Sequence, residues 1–467
     1  MPITASVAPE STRWPWRLAA QSAVGRVWIA AFAGAALYPG LDYMALAFAA
    51  AIGLASFRPG WRRPILSTLA MVVCARATMH SWPVLGLLAV WMAGLLAWTR
   101  LLPRLPGWMG RHAIPLMHAK AVVLIVCLWL LRGRGVLTGA AAGAMCLLVP
   151  ELLWRSTYWM KWRVRQPGRA AIWNNLFAAL PFLGAGGVPL GKGPAFLGRH
   201  EARDAEQLAA AQLEGTKLLA LALAWRVLDG ALSGVVLSQK SAWVPHWAYP
   251  ARPWLPTMAN LLQVPEFYTL WQRWAGLWAE LFHAILVLAV FGHTIVGILC
   301  LSGFHVPRNT RSPLLAASIV DFWGRYYFYF KELLMDFWFF PVFLRTARLP
   351  VFWRTMLATV SAAFLGNLYY HVVLYWPALA RGETGRFQDL IAARVIYCAL
   401  LAAGLCGSFA RMLRRKPSAG PPGWPRRVFQ VLVVATFFAL IHVWNFTGVP
   451  VLVSQRMRLW RALLPWW

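Results

Sequence analysis

Asn367 and His371 stand four residues apart in the run FLGNLYYHVVLYW, which puts them one helical turn apart on one face, inside a strongly apolar background. A neutral imidazole, with an ordinary pKa of ~6.5, can take a proton from a hydroxyl near neutral pH, and the carboxamide could orient the ring or hold a substrate oxygen. A core histidine bonded to a backbone carbonyl fits the same pattern. Upstream, GFHVPRNTRSPLLAASIVDFWGRYYFYFKELLMDFWFFP sets charges and aromatics in the same background. Unpaired polar groups at membrane depth cost several kcal/mol each, so such a block marks a place with a use. Read as a helix, it places Asp321, Arg325, Tyr329 and, a further turn on, Glu332 and Asp336 near one stripe, with Arg325 flanked by carboxylates at one-turn spacing. Two readings stay open for this stripe, an interfacial amphipathic helix whose ion pairs hold the fold and a polar binding surface.

The elements that must carry these residues follow from composition. With 467 residues, 60% hydrophobic, 13% charged and 29 tryptophans, the chain is too apolar for a soluble protein of several domains. The expectation is an all-α, polytopic integral membrane protein of about 9–11 membrane helices, each needing ~20 apolar residues, with re-entrant segments around a central chamber. Spans are expected near 27–57, 64–79, 83–102, 113–131, 135–154, 209–239, 276–302, 355–380, 390–410 and 428–447. The 27–57 run reads as a hairpin broken at Pro39-Gly40 with halves short for a full crossing. Leu176 to Phe196, rich in Gly and Pro, suits a re-entrant or buried loop.

The 45 Lys+Arg against 15 Asp+Glu lie in short clusters between apolar runs, a positive-inside pattern rather than a nucleic-acid face. Arg62-Arg63, Arg104 to Arg111 and Arg155 to Arg169 are expected on the cytoplasmic side. The six cysteines lie in or beside apolar segments without CxxC or metal-ligand spacing and read as reduced packing residues. No metal site is expected. His118, Lys120 and His442 read as interhelical hydrogen-bonding groups, while Glu280, His283 and His293 share a span without forming a metal motif. Tryptophans near span ends, among them Trp14, Trp460 and Trp466, read as interfacial anchors. No removable signal peptide is evident near the first residues.

The order Gly297, Gly303-Phe304, Pro307, Asn309, Pro313, Ser318-Ile319, Asp321-Phe322-Trp323, Arg325, then Leu334, Asp336-Phe337, Pro341 and finally His371 resembles the membrane-bound O-acyltransferases, in particular the branch of bacterial alginate O-acetylation and teichoic-acid D-alanylation transferases. The likeness spans roughly 176–447. It divides the chain into N-terminal membrane helices (1–170), a catalytic core (171–450) and a basic, Trp-rich C-terminal tail (451–467). The resemblance implies transfer of an acyl group from a thioester on coenzyme A or a carrier protein, with no bound cofactor, to a hydroxyl on a polysaccharide, lipid or small molecule. His371 falls at the family's catalytic histidine and would be the general base. Asn367, Asp321, Trp323, Arg325, Tyr329, Lys331 and Asp336 would bind or orient substrate, Arg325 and Lys331 meeting phosphates or pantetheine amides. Tyr327 stands where the family has its first histidine and is expected to position rather than abstract a proton. The implied setting is a multi-pass protein of a bacterial cytoplasmic membrane, working beside a carrier or periplasmic partner and no nucleic acid. A catalytically inactive member, or a transporter or lipid-binding scaffold, is the competing class.

Overall fold

The structure, a computed structural model, describes residues 15–78, 104–130, 156–165, 189–239, 253–414 and 423–466, with isolated positions between them. Helices dominate, and among the described residues there is no β-strand, only an isolated bridge from Glu201 to Phe304. The helices used below are α1 (Ala23–Leu41), α2 (Met44–Phe57), α3 (Arg62–Thr78), α4 (Ala113–Leu130), α5 (Ser156–Arg165), α6 (Ala205–Ala231), α7 (Leu270–Leu301), α8 (Ile319–Tyr326), α9 (Phe328–Leu334), α10 (Val351–Val360), α11 (Asn367–Ala380), α12 (Thr384–Arg414), α13 (Trp424–Asn445) and α14 (Val453–Ala462). Among the described residues, six segments are long and apolar enough to cross a bilayer: Ala23–Leu41, Ala205–Val236, Leu270–Leu301, Val351–Leu379, Thr384–Arg414 and Trp424–Asn445. The protein is thus an all-α, multi-pass integral membrane protein. The expected spans 83–102 and 135–154, and most of the Gly/Pro-rich loop 176–196, lie outside the described residues.

Local sequence explains where the long helices start. Asp204 caps α6 by accepting from the Gln207 N–H at 2.7 Å, and Thr269 opens α7 in a capping box with Gln272. Gly215 and Gly297 bring α6 and α7 together. A Cβ on Gly215 would lie 2.7 Å from the Leu301 nitrogen, so only glycine lets the two backbones approach this closely. The first hairpin turns at Asp42, φ 48°, three residues after the expected break, because Pro39 is accommodated inside the last turn of α1.

The basic loops gather at one end of the bundle. Arg63 pairs with Glu201 at 2.7 Å, and the Arg62 guanidinium lies 5.9 Å from the Phe304 ring just beyond α7. Lys161 donates to the Asp336 carbonyl at 3.3 Å, and Lys192 pairs with Glu332 at 2.9 Å. The opposite end holds the start of α7, where Arg273 bonds the Ala462 carbonyl. Residues 453–462 are therefore not a loose tail. They form α14, which buries Arg456 and Leu459 against the main core.

Two stretches of π-helix, Met335–Phe339 and Ser361–Gly366, interrupt the segments that lead to α11. They face each other, and Gly366 is the contact point: a Cβ there would lie 2.7 Å from Trp338 Cδ1. An extra residue in a helical turn re-aims the side chains that follow it, here Asn367 and His371.

Candidate functional site

The polar block does not form one helix. Tyr327 breaks it with φ −143° and ψ 79°, ending α8 and beginning α9. The loop before it makes the break stable by supplying partners to the freed backbone groups. Arg311 N–H donates to the Arg325 carbonyl at 2.8 Å, and the Thr310 hydroxyl donates to the Tyr326 carbonyl at 3.0 Å. Phe328 N–H donates to the Asn309 carbonyl at 2.9 Å, and Tyr329 N–H to the Asn309 side-chain oxygen at 3.3 Å. The single stripe expected from periodicity is corrected accordingly. Arg325 pairs with Asp321 alone at 2.7 Å. Tyr329 turns away, is buried, and donates its hydroxyl to the Pro307 carbonyl at 2.6 Å, a structural contact rather than one open to substrate.

Asp321, Trp323, Arg325 and Lys331 line a cavity of about 1980 Å³ whose other wall is the last third of α12 and the first half of α13. Its charged lining is predominantly basic: Lys217, Arg308, Arg311, Arg325, Lys331 and Arg411 against Glu214, Asp321 and Glu332. Arg308 is held by Glu214 at 2.5 Å. Burial alone would raise the Glu332 carboxyl, but Lys192 and Lys331 outweigh it and hold Glu332 below the usual carboxylate range. Asp336 sits outside this lining, accepting from the Tyr158 hydroxyl at 2.8 Å.

Asn367 and His371 form a second group, and Tyr327 stands near it beside Phe330 and Tyr370. His371 is 8% exposed and Asn367 1%, one turn apart on α11. Both carry a buried polar atom, His371 Nδ1 and Asn367 Nδ2, with no hydrogen-bond partner among the described residues. The expected alternative, an imidazole tied to a backbone carbonyl, is not what the ring does. Tyrosines fix it instead. Tyr375 lies parallel to it, 5.8 Å between centroids and 12° between planes, while Tyr370 and Tyr397 present near-perpendicular rings at 5.8 and 6.1 Å. Tyr370 in turn packs on Phe330 of α9 at 4.6 Å, which links this second group to the broken helix. Burial, then the neighbouring Tyr370 and Tyr326 phenols, keep the Tyr327 hydroxyl above its ordinary value, so it stays neutral.

Periodicity did not point to Arg394, Tyr375 and Asn445. Arg394 on α12 is 2% exposed and donates through Nε (3.0 Å) and Nη2 (2.5 Å) to the Tyr375 hydroxyl, through Nη1 to the Trp444 carbonyl (2.9 Å), and also to the Asn445 side chain. The one signal for it was a lone arginine within the apolar run 390–410. Arg394 lies ten residues before Gly404, where the cavity begins along α12, roughly 15 Å at a 1.5 Å rise per residue, whereas Ala362 and Ala363 of the lining stand only about one turn before Asn367.

The other titratable groups are engaged elsewhere. His283 Nδ1 meets Asp229 at 2.7 Å and Ser233 at 3.3 Å, both on one nitrogen, so no serine–imidazole–carboxylate relay exists, which would need opposite nitrogens. Glu280 accepts from Met258 N–H, His293 contacts the Ala289 carbonyl, and Lys120 donates to Ser156. The described residues contain no cluster of three or more His, Cys, Asp or Glu able to hold a metal ion, and Cys300, Cys398 and Cys406 are free thiols. No protein-family model and no curated protein sequence matches the chain.

Proposed function

We propose that the protein is a membrane-embedded O-acyltransferase with His371 as its general base. The observation that carries this reading is a buried imidazole, flanked by three aromatic rings, whose Nδ1 has no partner among the described residues, one turn from a carboxamide whose Nδ2 also has none. Unsatisfied buried polar groups cost about 1–3 kcal/mol each, a burden a fold keeps where a ligand will complete the bonding.

In the reaction, the acceptor hydroxyl oxygen attacks the carbonyl carbon of the thioester as its proton passes to the imidazole. The tetrahedral intermediate collapses, the C–S bond breaks, and the imidazolium returns the proton to the departing sulfur, which leaves as a thiol. Atoms and charge balance without a cofactor. Asn367 Nδ2 suits the carbonyl oxygen as negative charge develops on it, and the Tyr327 phenol suits the acceptor. The basic cavity, at the end of the bundle where the Arg and Lys loops gather, receives the anionic part of the thioester, carried by coenzyme A or a carrier protein. A long unbranched arm can then span the distance to His371. The positive-inside rule makes that end cytoplasmic, which fits a bacterial inner membrane with the acceptor arriving from the other face.

Purified protein in nanodiscs, given radiolabelled acetyl-coenzyme A and the polysaccharide and lipid fractions of its host membrane, should move label into one fraction. His371→Ala should remove transfer, general-base loss costing ~10²- to 10⁴-fold. Transfer at the wild-type rate by that variant would refute the assignment.

A further inference from the structure

We propose that Arg394 is the positioning residue of the His371 site, acting through Tyr375; this rests on the acyl-transfer reading. A guanidinium inside a membrane-spanning helix is costly, and capping uses only part of it. At the end of α13, Arg456 from α14 donates to the Val443 and Phe446 carbonyls, and Arg394 takes the Trp444 carbonyl through Nη1 alone. Arg394 adds two N–H donors converging on the Tyr375 hydroxyl, fixing both the position and the rotation of that ring. Tyr375 then lies parallel to the imidazole and offset from it, and Tyr397, three residues after Arg394 on the same helix, stands near-perpendicular to it.

Imidazole bases are commonly oriented by a carboxylate on one ring nitrogen, as Asp229 does for His283. Among the described residues His371 has no such partner. Its orientation then comes from the rings around it, and of these Tyr375 is the one that the described residues pin by a fixed charge. The arrangement orients the base while leaving Nδ1 without a partner among the described residues.

The test uses the whole protein in nanodiscs, with Tyr375→Phe, Arg394→Lys and the double variant. Thiol release from acetyl-coenzyme A gives kcat and KM, and mass spectrometry follows carbethoxylation of His371 by diethyl pyrocarbonate. Tyr375→Phe keeps the ring and loses only the pinned hydroxyl. It should lower kcat roughly tenfold or more at unchanged KM, because misplacing a catalytic group by about 1 Å costs up to ~10²-fold. It should also raise the carbethoxylation rate severalfold while leaving the melting temperature nearly unchanged. The double variant should be no worse than Arg394→Lys, since both act through one linkage. A merely structural arginine would give losses that add and that follow the melting temperature. Wild-type kcat and carbethoxylation in Tyr375→Phe would overturn the proposal even if both Arg394 variants fail to fold. If wild-type protein releases no thiol yet Tyr375→Phe changes carbethoxylation, the positioning role stands and the acyl-transfer reading falls.

Discussion

Gly366→Ala isolates the contact that aims α11. The glycine has ordinary helical φ of −65°, so alanine meets no backbone penalty, and helix propensity alone would favour it by up to ~1 kcal/mol. Against this, the added methyl would lie 2.7 Å from both Trp338 Cδ1 and Cγ and 3.0 Å from Leu334 Cδ2, where ordinary contacts begin at 3.4 Å. The indole cannot simply swing away, because it also packs against Tyr369 and His118. The two π-helical segments must separate instead. Overpacking of this kind costs typically ~1–3 kcal/mol, which exceeds the propensity gain. The net expectation is a loss of about 1–2 kcal/mol and a sub-ångström shift passed to Asn367, the next residue, and on to His371. Melting temperature and thiol release should therefore fall together, the rate by roughly tenfold. Gly385→Ala serves as control. It lies in the first turn of α12 with no atom near the added methyl and should be neutral or slightly stabilising. Full activity and stability in Gly366→Ala would refute the claim that this contact sets the site.

Tyr327→Phe should retain most activity and be far milder than His371→Ala in the same thiol-release assay, because a phenol held above its ordinary value is a poor base at neutral pH; equal loss in the two variants would reverse the roles. Glu332 is held below its unfolded pKa of ~4.3, so its ion pairs contribute stability that is complete above that value and lost as pH falls through the lower folded value. Glu332→Gln should lower the melting temperature near neutral pH and flatten its decline in acid, and an unchanged acid limb would count against the pairing. Cysteines placed singly at Arg63, Arg111 and Arg411, on a background without native cysteines, should resist a membrane-impermeant thiol reagent in intact cells and react after lysis; labelling of any of them in intact cells would invert the topology.

The spans and the Asn367–His371 spacing were legible because each depends on residues close in sequence: apolar runs of sufficient length, caps such as Thr269, and a one-turn repeat. The break at Tyr327 was not. Nothing in GRYYFYFKE forbids a continuous helix, and the break holds only because Asn309, Thr310 and Arg311 return to supply the freed backbone groups. A hydrogen-bond trade of that kind is tertiary and leaves no period in the sequence. The tyrosine cage was hidden for a related reason. Tyr375, Arg394 and Asn445 each look like an isolated polar residue on its own span, and only packing of α11, α12 and α13 makes them one cluster.

The two groups of cations differ in what neutralises them. Around the cavity, Arg308, Arg325 and Lys331 stand beside carboxylates, which leaves their pairs near neutral and the surplus charge on Lys217, Arg311 and Arg411 at the exposed rim. Deeper in the bundle, Arg394 donates to carbonyl, amide and phenol oxygens and Arg456 to two carbonyls, and no carboxylate forms an ion pair with either among the described residues. Such partners do not cancel the charge. The Arg394 charge thus lies close to the imidazole, one tyrosine away, in a medium where electrostatic effects are strong. On the acyl-transfer proposal, that charge would favour an anionic oxygen forming beside the ring. On the same proposal, the rim would attract a substrate that is already negative, whereas Arg394 would favour a charge that exists only during the reaction.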